Sequence, residues 1–199
     1  MTISTTIRRA TPDDAPLVAE LVATAFGQLA AVAWLVPDVS ARPRVMTANF
    51  RIFVDHAIEY GHVDLVEEAP AVAVWFPRTG LLPEPADYDR RLAAACDPWT
   101  DRFQVLDELM EKNHPTEPHH HLAFLAVHPD RQGAGLGSIL LRRYHDVLDA
   151  TATAAYLEAS STGSRDLYLR HGYEQRKPFT LPDGTPFWPM WRPPATEGR

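Results

Sequence analysis

The stretch Gln132-Gly133-Ala134-Gly135-Leu136-Gly137-Ser138 has the make-up of a phosphate cradle. It follows His121-Leu122-Ala123-Phe124-Leu125-Ala126-Val127, a nearly continuous apolar run suited to a strand buried on both faces. It leads into a helical pattern with Leu136, Ile139, Leu140, Tyr144, Val147 and Leu148 facing inward. Backbone N–H groups left unpaired at the positive end of a helix dipole suit a phosphate or pyrophosphate. Glycine there keeps side chains away from the oxygens or supplies a positive φ, although glycine at such a turn also serves structure alone. No Gly-Lys-Ser/Thr follows, so a P-loop is excluded. The dinucleotide fingerprint G-x-G-x-x-G fails at its third glycine, where Ser138 stands. Glu158 lies about 20 residues further on, where that fold keeps its ribose-binding acid, so a dinucleotide-dependent oxidoreductase stays as a distant alternative.

Other chemistry-bearing residues give weaker signals. His119-His120-His121, with His114 nearby, raises the question of a metal, but neighbouring strand residues face opposite ways and no Cys or Glu stands at a recognised ligand spacing. No metal is expected. Cys96 has no basic neighbour to lower its pKa, and no G-x-S-x-G elbow is present.

The elements that must position these residues mix strands and helices throughout, which predicts an α/β or α+β fold. Thr6 to Ala10 reads as a short strand, and Thr11-Pro12-Asp13-Asp14 as a helix start capped by Thr11. Val18, Leu21, Val22, Ala25 and Phe26 form the apolar stripe of the first helix, and Met46 to Ile58 that of another ending near Gly61. Strands are expected at His62 to Glu67 and Ala71 to Phe76, separated by Glu68-Ala69-Pro70, then a loop over Pro77 to Asp89. Asp97-Pro98 reads as a cap and first residue of a helix carrying Phe103, Leu106, Leu109 and Met110. Ala154 to Ser160 is a further strand, Asp166 to Arg170 a short helix, and Pro182-Asp183-Gly184 a hairpin turn before Phe187 to Trp191.

A chain of 199 residues with 45% apolar residues fits one compact domain and is too apolar for disorder. Its longest apolar stretches, about 5 to 8 residues, fall short of the roughly 18 needed to cross a bilayer. The N-terminus shows no apolar signal region, and a lone cysteine forms no internal disulfide, so a cytoplasmic location is expected. Nineteen Lys and Arg against 26 Asp and Glu, a net charge of -7, argue against a grip on nucleic acid.

Three pieces together carry a family resemblance. Gln132 to Gly137 matches the Q/R-x-x-G-x-G/A loop of the GCN5-related N-acetyltransferase (GNAT) superfamily, and Ala126 to Arg131 looks like its preceding strand and turn. Leu167-Tyr168-Leu169-Arg170-His171-Gly172-Tyr173 is similar to its Leu-Tyr-x-x-x-Gly-Phe helix. The likeness is strong over about residues 120 to 192 and looser, but continuous, before them. Within the superfamily, Ala71 to Trp75 and Leu157 to Ser160 look most like puromycin N-acetyltransferase and its actinobacterial relatives.

The resemblance implies a single domain over residues 1–199, with a central mixed, twisted sheet whose two middle parallel strands splay apart to admit acetyl-CoA. Leu125, Ala126 and Val127 would line the thioester and pantetheine arm, and Gln132, Gly133, Ala134, Gly135, Leu136, Gly137 and Ser138 would hold the diphosphate. Ser164, where relatives carry asparagine, would face the pantetheine. Glu158 would act as general base and Tyr168 as general acid in moving an acetyl group to a small-molecule primary amine, an antibiotic or a metabolite among the candidates. A non-catalytic acyl-CoA sensor is the alternative. Neither nucleic acid nor membrane is an expected partner, and a homodimer is left open.

Overall fold

The computed structural model describes residues 6–67 and 71–195. The first five residues, where the signal reading begins, and residues 68–70, which separate the two expected strands, lie outside the described residues. Strand β1 (Ile7–Arg9) enters helix α1 (Ala15–Phe26) through a 3-10 turn at Pro12–Asp14. Thr11 takes the N-cap position of that turn, as expected, and forms a capping box with Asp14. Thr11 donates both its N–H, at 2.8 Å, and its hydroxyl, at 2.9 Å, to the Asp14 carboxylate. The Arg8 guanidinium grips the same carboxylate at 2.6 and 2.7 Å. Arg8 first and the Thr11 N–H second hold the Asp14 carboxyl well below the usual range. This stabilisation is complete above the unfolded value, about pH 4, and fades as pH falls towards the folded one. Asp14→Ala should lower the melting midpoint by about 3 °C or more at pH 7, and by less near pH 3, measured by thermal denaturation.

Helix α2 (Ala30–Leu35) follows, then α3 (Arg42–Tyr60), which ends at Gly61 as expected. Strands β2 (His62–Val66) and β3 (Ala71–Arg78) form an antiparallel pair. Helix α4 (Tyr88–Cys96) carried no signal of its own in the sequence. It also displaces the expected start of the next helix. Leu92, Ala95 and Cys96 bury against the core and draw the helix on to Cys96, so Asp97 closes α4. Helix α5 (Thr100–Asn113) then begins beyond Pro98, with Trp99 as its cap.

Strand β4 (His119–Val127), helix α6 (Leu136–Ala150), strand β5 (Ala155–Ala159) and helix α7 (Thr162–Arg170) come next. The short β6 (Glu174–Gln175) and β7 (Phe179–Thr180) and the longer β8 (Pro186–Arg192) complete the chain. The sheet order is β1-β2-β3-β4-β5-β8-β6, with β7 also paired to β8. Among the described residues only β4 and β5 run parallel, so the fold is the expected mixed α/β sheet flanked by helices. The doubly wound parallel sheet that the dinucleotide alternative needs is not formed, and that reading falls.

Two irregularities in β4 shape the site. Val74 pairs with Phe124 but Trp75 with Leu122, so Ala123 is an extra residue, a β-bulge. The bulge turns Phe124 and Ala126 to the face covered by α1 and α3, and Leu125 and Val127 to the face covered by α6. The second is that β4 meets β5 in only two register pairs, His120 with Ala155 and His121 with Tyr156. Both strands continue beyond them without pairing to each other. This corrects the expectation of a fully buried strand: Leu125 and Val127 are only half-buried, because their lateral neighbour has turned away.

Candidate active site

The opening between β4 and β5 is bordered by the glycine-rich turn. Gly133 and Gly135 adopt φ of 79° and 80°, the left-handed region that glycine enters without strain. Gly135 caps α6, so the first amides of that helix, from Leu136, Gly137 and Ser138, have no partner within it. A Cβ on Gly137 would stand 3.6 Å from Leu125, 3.7 Å from Leu167 and 3.9 Å from Val127. The start of α6, the end of β4 and α7 therefore meet around Gly137. Gln132 donates from Nε2 to the Val127 carbonyl at 3.2 Å, which ties the loop back to the strand. His171 and the Ser138 hydroxyl are 2.9 Å apart at the start of α6. Ala126, by contrast, is buried towards α1 and α3, where it packs the core. Ala134 is exposed and Leu136 buried beneath the turn.

Ser164 has another task. Its N–H donates to the Ser161 hydroxyl at 3.1 Å, and its own hydroxyl bonds the Ser161 carbonyl at 3.0 Å. The side chain is committed to capping α7.

Glu158 and Tyr168 lie on opposite faces of β5, by strand alternation. Ala155, Leu157 and Ala159 pack with Tyr168 under α6, whereas Tyr156 and Glu158 face the other side. Tyr168 is 7% exposed, and burial alone pushes its hydroxyl above the ordinary phenol range, so it stays protonated at any working pH.

Glu158 belongs to a histidine cluster that linear spacing did not reveal. Its Oε2 is 2.9 Å from His121 Nε2, and its Oε1 is 3.8 Å from His114 Nδ1. The Glu158 side chain is 7% exposed, and Oε1 is buried with no hydrogen-bond partner among the described residues. Burial opposes ionisation, but His121 and then His114 outweigh it and hold the carboxyl well below the usual range. His119 stands behind. Its Nδ1 faces the Glu117 carbonyl at 2.7 Å, and its Nε2 faces His114 Nε2 at 3.1 Å. A carbonyl only accepts, so His119 carries its proton on Nδ1, and burial, which lowers its pKa to about 4, keeps the ring neutral. The proton between the two Nε2 atoms then belongs to His114, whose Nδ1 is left towards Glu158. His120 points to the opposite face and meets the Tyr144 hydroxyl at 3.0 Å.

Residues 103–175 match a sequence model of the acetyltransferase (GNAT) domain. Solved structures agree in fold. A histone acetyltransferase-related acetyltransferase from Corynebacterium glutamicum is 28% identical, with a TM-score of 0.66 over 99% of this chain and 100% of that one. A GCN5-related N-acetyltransferase from Rhodopseudomonas palustris is 16% identical, with a TM-score of 0.59 over 97% and 98% of the two chains. The Drosophila melanogaster polyamine N-acetyltransferase is 13% identical, with a TM-score of 0.63 over 96% and 100%. The last two likenesses concern the fold alone. The domain match and the architecture together make the chain an acyltransferase enzyme with a GNAT-type fold.

Proposed function

We propose that this acyltransferase is a single N-acetyltransferase domain over residues 1–199 that moves an acetyl group from acetyl-CoA directly to the primary amine of a small molecule. The observation that carries the reading is the early parting of β4 and β5 beside the Gly133–Ser138 turn. A parallel pair that separates after two residue pairs exposes backbone N–H groups and a cleft, and a helix N-terminus at its rim offers positive potential to a diphosphate. Gln132, Gly133, Ala134, Gly135, Leu136, Gly137 and Ser138 would hold that diphosphate, with Leu125 and Val127 along the pantetheine arm. Ala126 supports the strand from behind, and Ser164 contributes by shaping α7.

The amine nitrogen attacks the thioester carbonyl carbon, and Glu158 Oε1, the carboxylate oxygen without a partner, takes the nitrogen's proton directly or through a water. The tetrahedral oxyanion accepts a hydrogen bond from a β4 N–H freed by the splay. The C–S bond then breaks, and Tyr168 donates a hydrogen bond to the leaving thiolate and passes it a proton. A phenol above its ordinary range does this uphill against a thiol near 8.5, so its main service is to stabilise developing charge. Tyr168→Phe should therefore lower kcat about 10- to 100-fold while CoA affinity changes less than about threefold, read from steady-state kinetics and calorimetry. Equal kcat removes Tyr168 from the mechanism.

The test of the whole reading is thiol release from acetyl-CoA across a panel of amines. Aminonucleosides belong in it, because Ala71 to Trp75 and Leu157 to Ser160 resemble puromycin N-acetyltransferase and its actinobacterial relatives. Release with at least one amine, with the acetyl group recovered on nitrogen, is the expected result. Tight CoA binding with no release from any acceptor favours an acyl-CoA sensor instead. A cytoplasmic setting fits the buried free Cys96, and no described helix is long and apolar enough to cross a membrane. The acid excess favours a cationic small molecule over nucleic acid as the partner.

A further inference from the structure

We propose that His114, His121 and Glu158 form a binding site for one divalent transition-metal cation of the zinc type. The three residues come from the end of α5, from β4 and from β5, and one ligand atom of each lies within 4.8 Å of the other two. Their side chains are 15%, 16% and 7% exposed, so the site is sheltered yet reachable. A tetrahedral zinc site with bonds near 2.1 Å separates its ligand atoms by about 3.4 Å, so side-chain rotations of about 1 Å close the set, leaving a fourth position for water.

Two further observations point to a cation here. Glu158 Oε1 is a buried carboxylate oxygen without a partner, aimed at His114 Nδ1 from 3.8 Å. At that distance the two atoms do not satisfy each other by a hydrogen bond. A cation coordinated by both would satisfy the buried oxygen. The backing is also that of a metal ligand: the Glu117 carbonyl meets His119 Nδ1, and His119 Nε2 meets His114 Nε2, the ring nitrogen turned away from Glu158. On binding, the ring proton of His121 sits on Nδ1 rather than on the Nε2 that now faces Glu158, and the Nε2 lone pair goes to the metal. Two imidazoles and one carboxylate favour Zn2+ or Co2+ over Mg2+ and Ca2+, which prefer oxygen ligands.

The consequence for activity, though not the binding itself, rests on the proposed function: a cation on Oε1 occupies the atom that would accept the amine's proton, and transfer stops while the site is filled. The experiment therefore begins with the protein alone, without acetyl-CoA or amine. Titration with Zn2+ should show one equivalent bound, undisturbed by excess Mg2+, and Co2+ should give the visible absorption of a low-coordinate, nitrogen-ligated ion. His114→Gln and His121→Gln should each weaken Zn2+ binding at least about tenfold, with CoA binding as the check that each variant is folded. Absence of the Co2+ band in the unaltered protein, or equal Zn2+ affinity in both variants, overturns the site. Activity is then measured with Zn2+ and again after a chelator. Inhibition that the chelator reverses supports the site, whereas zinc bound at these residues with transfer undiminished supports the site and removes Glu158 from the mechanism.

Discussion

Replacing Glu158 with Gln should lower kcat/KM for any accepted amine by about 10^2- to 10^4-fold and leave CoA affinity within about twofold. Glutamine keeps the volume and can still bond His121, which now stands 2.9 Å from Oε2, so packing around β5 is preserved. What is lost is the charge and the basic lone pair on Oε1. That oxygen costs free energy where it lies, buried and unpaired, and an incoming ammonium group or its attendant water would satisfy it. The carboxyl is held below the ordinary range, so it remains ionised throughout the working pH range. It follows that the carboxylate adds no break to the acid limb of kcat/KM, which should climb with pH towards the amine's own pKa as the neutral fraction grows. It also follows that Glu158 is too weak a base to strip a free ammonium, near 10.4 for an alkylamine, before attack. Its place is during C–N bond formation, when the nitrogen becomes far more acidic. Steady-state kinetics across pH, with calorimetry for CoA, check both halves. A variant retaining kcat/KM within about fivefold excludes Glu158 as the base.

What the sequence made legible is local in character. The turn before α6 could be read because its chemistry is contiguous: an apolar strand, glycines whose φ of 79° and 80° other residues resist, then an amphipathic helix. The same holds for β5 and for the end of α7, which however begins at Thr162, four residues before its expected start. Helices α2 and α4 escaped for an equally physical reason. Residues Ala30 to Leu35 offer no polar face to set a period, and α4 is held by burying Leu92, Ala95 and Cys96 in a core to which α3, far back in the sequence, contributes. Tertiary burial overrode the Asp97-Pro98 start signal in the same way.

The histidine cluster was out of reach on other grounds. His114 and Glu158 are brought together only because α5 returns beside the paired ends of β4 and β5, and linear spacing carries no trace of that. The strand rule did hold in part: His120 turns to Tyr144 while His119 and His121 share a face. The bulge at Ala123 then breaks the alternation, so Leu125 and Val127 leave the histidine face and pack beside Gly137. One inserted residue thus gives a single strand a histidine face at one end and puts apolar residues on the opposite face at the other. Ser164 is the reverse case, a position read through its neighbours in relatives whose hydroxyl here bonds Ser161.

Gly135→Val should weaken CoA binding at least about 100-fold, a loss of about 2.7 kcal/mol, with the fold retained. Valine at a φ near +80° is a genuine outlier, so the turn must rearrange and carry the first amides of α6 with it. On the proposed reading those amides act together on one diphosphate, and losing their convergence forfeits several charge-assisted hydrogen bonds at once. The protein itself has no objection to the side chain: a Cβ at Gly135 meets nothing within 4 Å, so no core contact is disturbed. Backbone strain alone is separated by a control. Gly184 in the β7–β8 turn has φ of 89° and equally open space, so Gly184→Val should reduce stability without touching CoA affinity. Calorimetric titration with CoA and thermal denaturation of both variants read the two effects apart. If Gly135→Val binds CoA as the unaltered protein does, the diphosphate is held somewhere other than this turn. The early parting of β4 and β5 would then need a different occupant.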